Sequence, residues 1–98
     1  MANVLDKIIV DKKESLKRIK KMNSLDSVEN TIKSLNNFLN FKEVIANNKE
    51  ASIITEIKKA SPSAGELVKD FNHLNIAKMY IDNGATCLSV LTEEKHFL

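Results

Sequence analysis

One cysteine, one proline and two glycines are all that 98 residues contain of these types, and each shortage excludes something. A lone Cys87 can form no disulfide within the chain and no multi-cysteine zinc site, and it fits a reducing cytosol. So few chain breakers leave a molecule made mostly of regular structure. No apolar run approaches the ~20 residues that span a bilayer. The stretch from Val4 to Val10 is interrupted by Asp6 and Lys7, unlike a secretory signal. Charge of one sign is lacking too: 15 Lys+Arg against 13 Asp+Glu leave a formal +2, which argues against a nucleic-acid surface. What remains is ordinary globular composition, 43% hydrophobic and 29% charged, in one small domain or a piece of a larger one.

The periodicity divides the chain near residue 50. Residues 3–22 place Leu5, Ile8, Ile9, Leu16 and Ile19 near helical spacing, with Lys17 to Lys21 giving positive charge at the end the helix dipole favours. Asn23 to Ser27 offers N-cap residues for a second helix, whose stripe is Val28, Ile32, Leu35 and Leu39 with Phe38 beside it. Phe41 to Asn47 predicts a short third helix. From Ala51 to Lys58 the residues turn β-branched and predict a strand, and Ser61-Pro62-Ser63-Ala64-Gly65 predicts a loop. Asn72 caps a helix from His73 to about Asn83, with Leu74, Ala77, Tyr80 and Ile81 on one face and Gly84 at its left-handed end. Thr86 to Thr92 is a nearly continuous apolar strand, a pattern of burial on both faces. The division is therefore a helical extension over 1–50 and a β-loop-α-β segment over 51–98. The long connection between its strands predicts a parallel, right-handed βαβ unit. Two strands and one crossover helix cannot close a core unaided, so the strands' exposed edges and faces are expected to associate with further strands or a second chain.

Strand alternation puts Ile54, Glu56 and Lys58 on one face and Ile53, Thr55 and Ile57 on the other, with Ile53 and Ile57 suited to packing beneath a helix. Glu56 and Lys58 then stand roughly 6 to 7 Å apart at their Cα atoms, at the strand's C-terminal end. Two readings are open: an ion pair at a solvated edge, or an acid–base pair at the mouth of a parallel sheet or barrel, where such folds place their sites. Ser61 and Ser63 could bind phosphate or simply make local turn hydrogen bonds. Cys87, within an apolar strand, reads as a buried thiol rather than a nucleophile. His73 reads as a helix-start residue, and neither it nor His96 has partners at metal-ligand spacing. Lys12, Lys13, Lys17, Arg18, Lys20 and Lys21 are interrupted by Asp6, Asp11 and Glu14 and read as a solvated helix face.

Three strings together are specific. Residues 52–65, with Glu56-Ile57-Lys58-Lys59-Ala60-Ser61-Pro62-Ser63, resemble the first-strand signature of the indole-3-glycerol phosphate synthase family. Asp70-Phe71-Asn72 and Ile76 to Tyr80 resemble its first crossover helix, and Asn83 to Phe97, with Ser89-Val90-Leu91-Thr92, its second strand and following loop. The leading helices resemble its N-terminal extension, so the likeness spans essentially the whole chain. It implies the N-terminal segment of a (β/α)8 barrel of tryptophan biosynthesis. The implied reaction closes a ring in 1-(2-carboxyphenylamino)-1-deoxyribulose 5-phosphate with loss of CO2 and water. It needs no metal or organic cofactor, and its partner is that anionic small molecule rather than nucleic acid or membrane. By the same resemblance Glu56 and Lys58 are catalytic, the lysine meeting the anionic substrate in acid roles and the glutamate holding the proton network. Ser61 lies near the substrate phosphate, and Phe97 packs on the anthranilate ring.

Two departures stand out. Ala64 occupies a position where many family members carry lysine, so that positive charge is missing. The sequence also holds only two of eight strands and stops in mid-pattern at His96-Phe97-Leu98. The family's third-strand lysine, later glutamate and last phosphate-binding loops have no counterpart in it. The chain is therefore expected to be a truncated, self-associating piece without synthase activity of its own.

Overall fold

The computed structural model describes residues 3–98. They form four helices and four strands, and divide into a unit ending at Leu39 and a second unit, Asn40–Leu98. In the first unit, α1 (Val4–Met22) begins with a capping box: the Asn3 side chain accepts from the Asp6 N–H while Asp6 accepts from the Asn3 N–H. Lys20 and Lys21 occupy its last turn, as the dipole favours. The basic face is solvated, and Lys17 pairs with Glu14 at 2.7 Å on an exposed surface. Ser24 caps α2 (Leu25–Ser34) by accepting from Ser27 N–H. This helix ends before Leu35, so the stripe expected to run to Leu39 is cut short. Thr31 Oγ1 donates to the Ser27 carbonyl and Ser34 Oγ to the Thr31 carbonyl, hydroxyl bonds that compete with the helical ladder, and Leu35 is extended.

The second unit begins at Asn40. Helix α3 (Phe41–Ala46), capped by Asn40, is tied to the strands that follow. Ser52 Oγ donates to the Ile45 carbonyl, and Asn48 Nδ2 donates to Ser52 Oγ and to Thr86 Oγ1. Strand β1 (Ile54–Ile57) pairs in parallel with β4 (Cys87–Val90), in the register Ile54↔Cys87, Thr55↔Leu88, Glu56↔Ser89 and Ile57↔Val90. Both strands are shorter than expected, and at the start of β1 the Ile53 N–H donates to the Thr86 hydroxyl instead of to a ladder carbonyl. The connection includes α4 (His73–Asp82), capped by Asn72, with Gly84 at φ +92 beyond its end. The turn expected between strand and helix holds a miniature antiparallel hairpin, β2 (Ala60–Ser61) and β3 (Gly65–Glu66). Gly65, at φ +67, supplies the left-handed residue of that turn.

Helix α4 packs against β1, presenting half-buried Ile76, Ala77 and Tyr80, whereas Leu74 and Ile81 of the expected face are exposed. The core is small: Ile57, Ala60 and Cys87 are the buried hydrophobic residues among those described. Ile57 is 3% exposed, but Ile53, expected to share its cover, is 55% exposed because it precedes the paired segment. Burial of β4 on both faces is not realised. Cys87 is buried, yet Val90 is 53% exposed although its partner Ile57 on the same face is buried, because α4 lies over β1 on that face. No described helix is long and apolar enough to cross a membrane.

The burial difference between two isoleucines of one strand has a measurable consequence. Ile57→Ala is expected to cost about 2–4 kcal/mol, and Ile53→Ala about 0.5 kcal/mol. Urea unfolding followed by circular dichroism ranks them, and equal losses would contradict this packing.

Candidate active site

Parallel pairing sends β1 and β4 out of the sheet on the same side, so the segments after Ile57 and after Val90 emerge as neighbours. Side-chain alternation assigns Ile54, Glu56 and Lys58 to one face. The in-register partners Cys87 and Ser89 lie on that face too. Lys58 Nζ stands 3.3 Å from Glu56 Oε1, with the lysine side chain 31% and the glutamate 46% exposed. This is a half-solvated ion pair at the C-terminal end of the pair of strands. The ammonium retains donor capacity, and the carboxylate retains an acceptor oxygen. An anion approaching this face meets Lys58 first as a point charge whose position Glu56 restrains.

The main chain beneath Glu56 is held separately. The carbonyls of Ile53 and Ile57 accept from β4 and its flanks, from Cys87 N–H at 3.2 Å and Leu91 N–H at 3.1 Å. The Glu56 carbonyl between them therefore points away from β4, toward the open edge of the sheet. There the Tyr80 hydroxyl donates to it at 3.0 Å. The sequence placed Tyr80 on one helix face with Leu74, Ala77 and Ile81. Its polar tip is what an apolar-stripe reading overlooks.

Ser61 lies at the end of β2, half-buried, and its Oγ accepts from the Ala64 N–H at 3.2 Å while standing 3.5 Å from Ser63 Oγ. The hydroxyl thus closes the Pro62–Ala64 turn, the local reading offered for it above, and Ser63 is its neighbour rather than an independent feature. Phe97 is brought to the same region through its main chain: Ala60 N–H donates to the Phe97 carbonyl at 3.2 Å. The two βα segments are therefore joined next to Ser61. Cys87 is a buried free thiol and His73 is the exposed first residue of α4, both as read from the sequence. Among the described residues no cluster of three His, Cys, Asp or Glu could hold a metal ion.

Glu93 was passed over in the sequence. Its carboxylate accepts from His96 N–H at 2.7 Å and Lys95 N–H at 3.1 Å, folding residues 93–96 into a turn. Partial burial pushes its pKa up. The N–H groups of His96 and Lys95, the charge of the His96 ring and the Phe97 N–H outweigh this and hold it below the ordinary carboxylate value. The signal that would have found it is an acidic side chain opening a short turn after a strand, the logic by which side chains cap backbone donors.

Comparison with known proteins identifies the family. The family model described as indole-3-glycerol phosphate synthase matches residues 5–98. The chain is similar to the indole-3-glycerol phosphate synthase of Clostridium acetobutylicum, 45% identical over 96 residues that make up 97% of this chain and 36% of that protein. Those of Prochlorococcus marinus (strain AS9601), 42% identical, and Alkaliphilus metalliredigens, 41% identical, are matched over 97% of this chain and 32% and 36% of their own lengths. The chain spans about a third of the length of these curated relatives.

Because the Glu56–Lys58 pair is half-solvated, its attraction is screened and contributes about 1 kcal/mol or less. Lys58→Ala is therefore expected to leave the urea midpoint nearly unchanged. A drop comparable to that of Ile57→Ala would make the pair a structural element rather than a free functional one.

Proposed function

The chain belongs to the indole-3-glycerol phosphate synthase family, and from that premise we propose that residues 51–98 are the opening βαβ unit of its (β/α)8 barrel, with residues 1–50 as the helical extension. The substrate would be 1-(2-carboxyphenylamino)-1-deoxyribulose 5-phosphate. Ring closure joins the ring carbon that bears the carboxylate to the ketone carbon of the sugar chain. CO2 then leaves from that ring carbon, and the former ketone oxygen departs as water, leaving the indole. The closure needs a proton delivered to the ketone oxygen as the new carbon–carbon bond forms, and the Lys58 ammonium is the donor on this face. Glu56, 3.3 Å from Lys58 Nζ, restrains that ammonium in place and helps hold the proton network around it. Ser61 and the backbone of its turn serve the substrate phosphate, and the Phe97 ring stacks on the anthranilate.

The observation that carries this reading is the pairing of Glu56 with Lys58 at the C-terminal end of parallel strands. Parallel barrels assemble their chemistry at that end. The lone buried thiol suits a reducing cytosol as the place of work. Residues 1–98 taken by themselves are proposed to lack turnover, because one parallel strand pair supplies only part of a barrel's constellation.

A second reading rests on exposed apolar side chains. Ile54, Leu88 and Val90 lie uncovered on the two strands, which favours association with a second copy or a complementary barrel fragment. Size-exclusion with light scattering tests it: the association reading expects an assembly, and a monomer that unfolds cooperatively would overturn it.

The catalytic reading is tested in a chimera that joins residues 1–98 to the remainder of the Clostridium acetobutylicum relative. The chimera is expected to turn over the substrate, with Lys58→Ala lowering kcat by at least about a hundredfold. Full activity of a folded Lys58→Ala chimera would remove the lysine from the chemistry.

A further inference from the structure

We propose that Glu93 is a positioning residue that holds Phe97 at the substrate's aromatic end, an inference that rests on the reading of Phe97 given above. Glu93 follows β4 by a few residues, where the chain leaves the sheet on the side of Lys58. Both of its carboxylate oxygens are used, one on Lys95 N–H at 3.1 Å and the other on His96 N–H at 2.7 Å. Two acceptor bonds from one rigid carboxylate fix successive peptide planes, and bonds to an ionised acceptor are stronger than neutral ones. The next residue is Phe97, whose carbonyl takes the Ala60 N–H at 3.2 Å.

The loop is thus clasped at both ends. Glu93 sets its beginning from within, and Ala60 pins its far side to the hairpin that carries Ser61. Between the two anchors the main-chain position of Phe97 has little freedom left. Its half-buried ring then projects from a located backbone instead of from a mobile tip. The lowered pKa of Glu93 agrees with this arrangement, since the N–H donors favour the charged carboxylate. The titratable group facing it is His96, which also lowers it.

The sign of the linkage follows. A carboxylate depressed in the folded state stabilises the clasp above its unfolded pKa, and that contribution is lost as pH falls through the folded value. Nuclear magnetic resonance of the 98-residue chain reads this directly. The amide protons of Lys95 and His96 are expected to titrate together, with a midpoint below the ordinary glutamate value of about 4.3. Glu93→Gln should abolish that titration. Amide shifts that ignore Glu93 would overturn the clasp.

The chimera supplies the functional arm. Glu93→Ala is expected to raise KM about tenfold with kcat within about threefold, the pattern of lost binding rather than lost chemistry. Glu93→Gln, which keeps one acceptor oxygen, should fall between. An unchanged KM in Glu93→Ala, with Lys58→Ala still inactivating, overturns the inference and leaves the reading of Lys58 intact. A fully active Lys58→Ala chimera overturns that reading instead, while the amide titration still decides whether Glu93 holds the loop.

Discussion

Everything at the candidate site depends on the parallel register of two four-residue strands, Ile54–Ile57 against Cys87–Val90. Antiparallel strands would send their outgoing segments to opposite ends of the sheet. Parallel strands send both to one end, and the price is a long crossover that must return the chain to its starting level. Helix α4 makes that return, and its Tyr80 also bonds to the strand it crosses, at the Glu56 carbonyl. Register then decides which residues meet. With Glu56 opposite Ser89, the ion pair and the second strand's polar residue share a face, and a slip by one residue would put Leu88 there instead.

The two units of the chain rest on different physics. In the first, no helical residue is buried, and local devices define the elements: a reciprocal cap at Asn3 and Asp6, a serine cap at Ser24, and hydroxyl bonds that end α2. Short helices so supported are marginal by themselves. In the second, long-range hydrogen bonds and three buried hydrophobic residues, Ile57, Ala60 and Cys87, supply cohesion. That core is small for a domain, because burial grows with the number of layers that can close on one another.

Sequence was most informative where a single residue has one physical use. Asn72, Ser24 and Gly84 marked helix ends because caps and left-handed positions admit few residue types. Alternation placed Glu56 and Lys58 on one face, and the structure pairs them. It was least informative where an outcome depended on distant partners. The stripe from Val28 to Leu39 continues past the point where Thr31 and Ser34 divert the ladder, and periodicity carries no trace of that competition. The apolar run through Leu88 and Val90 states what the strand could bury, not what is there to cover it. Glu93 escaped notice because its role is played on backbone amides, which every sequence contains and none displays.

The clasp at Phe97 divides one residue between two duties. Its carbonyl oxygen is bound to Ala60, while its ring takes no part in that bond. Any amino acid has the same carbonyl, so the fastening is indifferent to what side chain sits at this position. A substitution there changes the side chain offered while keeping the main-chain bond to Ala60. The fold thereby leaves one site of variation open at the rim of its proposed active site, and selection can retune what is bound without rebuilding what binds it.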